Sequence, residues 1–363
     1  MKRYISFRDF DWLLLGFVLA ICAVGVLQIY SATVGTKFAG AHIRQVYWVV
    51  AGVALMFVVS RVNYHLLLEQ VPWMYLAAIG SLVSVLLFGQ KYLGARRWIK
   101  IGAGMHFQPS EWVKLILILA VAKYFAEARQ REASAGDIIK AGMLVGFPML
   151  LVLAQPDLGT SLTYMPVALM GLFLGGMRLK HAVAILLLAA MMAPLGWHVL
   201  KPYQRERLTS FLEPEADYHG SGYQVIQSLI AVGSGGIWGK GTRHGSQIQG
   251  FFLPVPQTDF IFAAYAEEHG FVGALGILLL YFIVLMRLIA NAQTAPDRAG
   301  TFLVMGVVAV FTFHILVNVG MVVGFMPVTG IPLPLMSYGG SSVLFMFLAL
   351  GMVMNVRMRR FVN

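Results

Sequence analysis

Residues 12–30 read WLLLGFVLAICAVGVLQIY, an apolar run without a single charge. A helix needs roughly 20 such residues to cross the hydrocarbon of a bilayer. Lys2, Arg3 and Arg8 precede the run, as in a secretory leader, but its length suffices to span and similar runs follow. An uncleaved first membrane helix is therefore expected.

Working outward, comparable stretches fall at about 45–60, 71–88, 110–126, 141–155, 160–176, 182–200, 271–290, 301–323 and 341–356. Together they predict about ten transmembrane helices. The chain is 59% hydrophobic and 12% charged, with a mean hydropathy of +0.75. No soluble core of this size could hide so much apolar surface, so lipid must be the solvent. The runs are too continuous for the alternating strands of a membrane barrel. The expected class is an all-α polytopic integral membrane protein, a single membrane domain over residues 1–363.

An even helix count puts both termini on one side. Placing that side in the cytoplasm collects most Lys and Arg there, including Arg61, Lys140, Arg287, Arg298 and Arg357, as the positive-inside rule requires. The net charge of +11 comes without a long basic tract or an aromatic stacking platform. It reads as topology and affinity for anionic membrane lipid rather than nucleic acid. The one cysteine, Cys22, rules out an internal disulfide and a thiolate cluster.

Two outer segments keep basic residues that the rule does not expect. Residues 89–108 carry Lys91, Arg96, Arg97 and Lys100; residues 201–257 carry Lys201, Arg205, Arg207, Lys240 and Arg243. The second is one long extracytoplasmic loop between the seventh and eighth helices. It is too apolar for disorder, and its stretch 224–231 is amphipathic enough to lie on the membrane surface. Long loops can escape the charge rule, or these two can receive an anionic headgroup.

Acidic groups at the outer boundary are costly and so candidates for function. Glu111 and Lys114, three residues apart after Pro109, share a helix face and could form a structural ion pair. Asp157 could cap the helix that begins near Gly159. Asp259, in QTDFIF (257–262), could cap the next helix or act as a base at the outer face, with Glu267 and Glu268 following. Base catalysis on a sugar hydroxyl needs an acid of this kind in contact with the nucleophile, its pKa raised by partial burial. Spacing alone does not rank these acids. The nine histidines show no metal-ligand spacing. SGGIWGKG (234–241) lacks both the first glycine and the final Ser/Thr of a phosphate loop. SYGGSS (337–342), after three prolines, suggests a broken helix or the close packing of small residues.

The stretches PYQRERLTSFLEP (202–214), GYQVIQSLIAVGSGGIWGKG (222–241), QTDFIFAAYAEEHGFVG (257–273) and GIPLPLMSYGGSS (330–342) resemble the SEDS family of shape, elongation, division and sporulation proteins. GARRWI (94–99), FQPSEWVKL (107–115) and QPDLGTS (155–161) match in the same order. The resemblance covers essentially the whole chain and leans to the elongation branch rather than the division branch. It implies a peptidoglycan glycosyltransferase that polymerises lipid II into a nascent glycan strand with a divalent cation, Mg²⁺ or Mn²⁺. The partner it implies is a class B penicillin-binding protein, a transpeptidase. By motif match, Asp259 takes the position of the family's essential aspartate, as base or metal ligand. Glu111, Lys114 and Asp157 match functional polar positions, and Arg96, Arg97, Arg205 and Arg207 match its basic loop positions. Val255 and Gln257 depart from the family's usual acid and histidine, which puts a metal or substrate role for those two positions in doubt. Competing expectations are a lipid-precursor flippase, which needs a polar path across the bilayer, and a non-enzymatic scaffold.

Overall fold

A computed structural model describes residues 9–92, 95–100, 106–128, 132–216 and 220–360. Each of the ten apolar stretches is helical. They form α1 (Trp12–Thr33), α2 (Ala41–Arg61), α4 (Val71–Phe88), α5 (Pro109–Glu127), α6 (Ala135–Ala154), α7 with α8 (Leu158–Leu162, Met165–Leu174), α9 (Leu179–Val199), α13 (Ile261–Gln293), α14 (Arg298–Val322) and α15 (Gly340–Arg359). Among the described residues, seven of them are at least 18 residues long and apolar enough to cross a membrane. Two of the others have local reasons to differ. α5 is as long but carries Glu111, Lys114 and Lys123, while the sixth stretch breaks at Thr163–Tyr164 ahead of Pro166.

α14 and α15 form the centre. In their apolar windows 72% and 78% of residues are buried, against 22% in α2, α4, α6 and α13. The remaining apolar faces point outward, as helices solvated by lipid require.

One end of the bundle is pinned by a polar network. Asp11 caps α1 through Leu14 N at 3.1 Å and pairs with Arg287 at 2.6 Å and Arg357 at 3.0 Å. Asn291 donates to it at 3.2 Å. Beside it, Asp297 caps α14 and accepts from Tyr64 and His65 of the short α3 (Tyr64–Glu69). The start of α1 and the end of α15 therefore lie together, at the basic end predicted to be cytoplasmic.

The opposite end carries structure that the hydropathy pattern did not foretell. Residues 89–108 hold three short antiparallel strands, β1 (Gln90–Tyr92), β2 (Ala95–Lys100) and β3 (His106–Phe107), in the order β1-β2-β3. The long loop folds as α10 (Pro202–Leu212), α11 (Ser221–Ser234) and α12 (Ser246–Gln249). The amphipathic face of α11 is divided. Val225, Ser228 and Ala231 are buried, with Ser228 Oγ 3.2 Å from Val322 O, while Leu229 and Ile230 remain exposed. That helix is thus packed on the bundle rather than only laid on a membrane surface.

Gly270 interrupts α13 at φ 67°, ψ −166°, a conformation open to glycine alone. The break frees backbone groups on either side, and the loop's SGGIWGKG segment takes them up. Lys240 N and Gly241 N donate to Glu267 O and Glu268 O, while Phe271 N and Val272 N donate to Gly236 O and Ile237 O. The near-miss phosphate loop is a backbone splice into a broken helix.

Candidate active site

Asp259 ends the long loop, just before α13. The N-cap position of that helix belongs to Phe260, and no side chain makes the cap bond. The capping role therefore does not account for Asp259. Its backbone is held instead: the carbonyls of Gln257, Thr258 and Asp259 accept from Tyr338 N (2.9 Å), Ser337 Oγ (2.7 Å) and Asn318 Nδ2 (2.9 Å). The SYGGSS turn is thus more than small-residue packing, because Ser337 and Tyr338 fix the strand of chain that carries the acid. Gly330 faces Asp259, and a Cβ there would lie 3.3 Å from Oδ2.

Around the half-buried carboxylate stand Arg207 of α10, Arg97 of β2 and Asp157, the cap of α7. Burial pushes the Asp259 carboxyl up to about 6, with the charges of Arg207 and Arg97 working against that rise. Such a group is ionised at neutral pH yet basic enough to take a proton. Burial, and then the charge of Arg97, draws the Arg207 pKa below its ordinary value. Arg207 Nη1 donates to Thr329 O at 3.1 Å.

Arg97 is seated on the turn between α6 and α7. It donates to the carbonyl of Pro156 and lies 3.6 Å from Asp157 Oδ1. Asp157 does cap its helix, through Thr160 N at 3.3 Å, and accepts from Gln108 Nε2 at 3.0 Å. The capping and functional readings of Asp157 coexist in one side chain.

The other expected residues separate. Arg205 turns away, its guanidinium donating to His198 O at 2.7 Å. Residues two apart on a helix do not share a face, so only one of Arg205 and Arg207 can meet the acid. The side chain of Arg96 lies outside the described residues. Glu111 and Lys114 form the expected pair at 2.9 Å, buried within the bundle. Lys114 Nζ also lies 3.3 Å from His314 Nε2 and 4.4 Å from the centre of the Phe345 ring. Glu267 and Glu268 bind the loop: Glu267 accepts from Lys240 and Gln247 N, and Glu268 from Ser31, Gln28 and Arg243 N.

His314, Asn318 and Gln108 were not singled out from the sequence. For the first two a signal existed, since polar side chains inside an apolar span are functional candidates by default. Among the described residues no three His, Cys, Asp or Glu side chains assemble as a metal cage. Buried polar atoms near Asp259 lack a partner, among them Asn318 Oδ1, Thr329 Oγ1, Tyr203 Oη and Arg97 Nε.

A helical bundle of membrane length, with an acid set between two guanidiniums at one face, defines a membrane-embedded protein built for chemistry on a charged headgroup. The model for the FtsW, RodA and SpoVE cell cycle proteins matches residues 11–361, and the chain belongs to this family, the SEDS proteins. It is 34% identical to the peptidoglycan glycosyltransferase RodA of Treponema pallidum, over 99% of this chain and 100% of that one. Against the peptidoglycan glycosyltransferase MrdB of Escherichia coli the identity is 39%, over 92% and 91% of the two chains. Among solved structures, a chain of a peptidoglycan synthase complex that coordinates polymerization and crosslinking superposes with a TM-score of 0.84 and 36% identity, covering 98% of this chain and 99% of that chain. The rod shape determining protein RodA of Thermus thermophilus gives a TM-score of 0.73 at 29% identity, over 97% and 98%.

Proposed function

We infer that this chain is a peptidoglycan glycosyltransferase of the plasma membrane, polymerising lipid II into β-1,4 glycan strands at the outer face during cell elongation. The observation that carries the site assignment is the setting of Asp259. Its carboxylate stands with Arg207 and Arg97 while three successive carbonyls of its own segment are tied down.

Inversion from an α-phosphate to a β-linkage takes one displacement, with one base and an activated leaving group. Asp259 accepts the proton of the acceptor 4-hydroxyl as that oxygen bonds to C1 of the donor sugar. The C1–O bond to pyrophosphate breaks, and the polyprenyl pyrophosphate leaves carrying the electron pair. Arg97 and Arg207 stabilise that leaving charge as guanidinium donors to phosphate. Membrane tethering of both substrates supplies proximity.

The donor set fits a Mg²⁺- or Mn²⁺-type cation, which is commonly held by one or two carboxylates together with substrate phosphates. Asp259 is the residue that would hold it, and Asp157, already committed to Arg97 and Gln108, is the weaker choice. Such a cation would neutralise charge on the leaving pyrophosphate. Since Asp259 cannot fully serve as base and ligand together, metal dependence of the pH profile separates the two roles. A class B penicillin-binding protein is the partner that crosslinks the product. That pairing rests on the family, with further support from the solved synthase complex to which this chain is similar.

The test is polymerisation of purified labelled lipid II in liposomes by wild type and Asp259→Asn, with and without Mg²⁺ or Mn²⁺. The partner would be present with its crosslinking activity blocked. Long strands from wild type alone, lost on chelation, are expected. Equal strands from both proteins would remove Asp259 as base, and none from a folded wild type would leave a flippase or a scaffold.

A further inference from the structure

The segment Thr329–Ser337 holds its own shape only at its far end, where Ser337 N donates to Leu333 O at 3.0 Å and Leu333 N to Ser337 Oγ at 2.8 Å. Pro332 and Pro334 lack amide donors, Gly330 sits at φ 75°, and the stretch belongs to no helix or strand. Four of its other carbonyls are taken by side chains from other elements. Thr329 O accepts from Arg207, Ile331 O from Asn318 Nδ2 at 2.8 Å, Pro332 O from His314 at 3.1 Å and Pro334 O from Tyr281 at 2.6 Å.

Two of these donors, His314 and Asn318, sit one turn apart on α14, on one face. Asn318 spends both N–H groups of a single amide, one on Ile331 O and one on Asp259 O at 2.9 Å. Turning the amide over would set its oxygen against two carbonyls, so the orientation is forced. The carbonyl of Pro332 can only accept, so His314 carries its proton on Nδ1 and presents Nε2 to Lys114 Nζ at 3.3 Å. Lys114 in turn holds Glu111. A continuous chain of bonds thus runs from the buried ion pair of α5 through α14 to the loop under Asp259 and Arg207.

We propose that His314 and Asn318 are positioning residues for glycosyl transfer, locking the Gly330–Pro332 backbone so that Asp259 and Arg207 keep their relative placement. The proposal rests on the glycosyltransferase reading. It also gives the Glu111–Lys114 pair a role at a distance: Lys114 orients the ring whose other nitrogen grips the loop. Misplacing a reacting group by about 1 Å can cost up to about a hundredfold in rate. Freeing Asp259 from its anchor should cost turnover more than substrate binding.

The experiment compares wild type with Asn318→Ala, Asn318→Asp, His314→Ala, His314→Gln and Asn355→Ala in the lipid II assay, each with a melting curve and a pH profile. Asn318→Asp matches the native volume but removes the amide donors, so it separates the hydrogen bonds from packing in kcat; because it adds a charge of its own, the pH profile is read in Asn318→Ala. His314→Gln keeps a donor for Pro332 O. Asn355 is a buried asparagine in a membrane helix, bonded to Ser60 O and Tyr64 N at the other end of the bundle.

Expected are a kcat lowered about 10- to 100-fold in both Asn318 variants, a KM within about twofold, and an acidic limb moved to higher pH as the influence of Arg207 and Arg97 on Asp259 weakens. His314→Gln should recover part of what His314→Ala loses. Asn355→Ala should lower the melting temperature and leave kcat intact. If Asn318→Ala does not survive purification, Asn318→Asp and the His314 pair decide the matter. Wild-type kcat and pH profile in folded Asn318 and His314 variants would overturn the proposal. So would a loss that merely tracks melting temperature as in Asn355→Ala. A wild type that makes no strands would instead sink the glycosyltransferase reading itself.

Discussion

At the scale of single residues, the proposed chemistry rests on one acid whose surroundings set its proton affinity. With the Asp259 carboxyl at about 6, its base form is lost as pH falls through that value, so polymerisation should decline on the acidic side with a midpoint near there. Asp259→Asn should remove about 10²- to 10⁴-fold of the rate, the usual contribution of a general base, without loss of melting temperature. Arg207→Gln deletes a charge that lowers the Asp259 pKa. The acidic limb should therefore move up in pH, alongside a slower reaction, in a rate–pH series on purified protein; an unmoved limb would mean that Asp259 is not the group titrating. Asp259 was legible in the sequence as one acid among several. Its rank was not, because Arg97 and Arg207 approach from segments more than 50 residues away. The Glu111–Lys114 pair was legible because its partners share one helix face. Arg205 was chosen with Arg207 from the motif, and only helix geometry separates them.

Individual elements show where hydropathy stops informing. The ten apolar runs became helices near their expected places, since burial in lipid leaves the backbone no other way to satisfy itself. The eighth helix, expected from residue 271, does start there after the break at Gly270, but a shorter helical stretch over 261–269 precedes it. That stretch carries Glu267, Glu268 and His269, whose polarity hid a helix that its contacts with the folded loop make possible. The glycines of 233–245 signal close backbone approach in the sequence, but not what they approach. A Cβ on Gly270 would stand 2.3 Å from Gly239 N, and its backbone conformation admits no other residue comfortably. Gly270→Ala should cost about 1–3 kcal/mol from backbone strain, and more from the lost splice, read as a fall in melting temperature in detergent. Gly276→Ala, on the same helix with open space at its Cβ, should hold or slightly raise the melting temperature. Equal melting of the two variants would show that the splice does not hold the loop. The small sheet in 89–108 had no comparable signal, because two of its strands have only three and two residues.

For the molecule as a whole, the two ends do different work: the basic end locks helices together and the other end assembles the acid and its cations. Asp11 illustrates the first. Burial alone would raise its pKa, but the bonds from Arg287, Leu14 N and Asn291 and the charge of Arg357 hold it below the usual carboxylate range. A carboxyl so lowered contributes stability above its ordinary pKa and loses it as pH falls. Asp11→Asn should cost about 2 kcal/mol near neutrality, less than a fully buried pair because both arginines are partly exposed, and its melting should depend less on acid than that of wild type. The charge bias predicts which of these two ends faces the cytoplasm, and cysteine labelling tests it directly. Cys22 is buried in α1, so the native chain offers a quiet background. Thr242, exposed in the splice loop, belongs to the end that holds Asp259, whereas Glu132, exposed beside Arg178, belongs to the end that holds Asp11. In spheroplasts a membrane-impermeant maleimide should label Thr242→Cys at once and Glu132→Cys only after permeabilisation. Labelling in the reverse order would put Asp259 on the cytoplasmic face, where no glycan strand is assembled, and would overturn the orientation and the proposed reaction together.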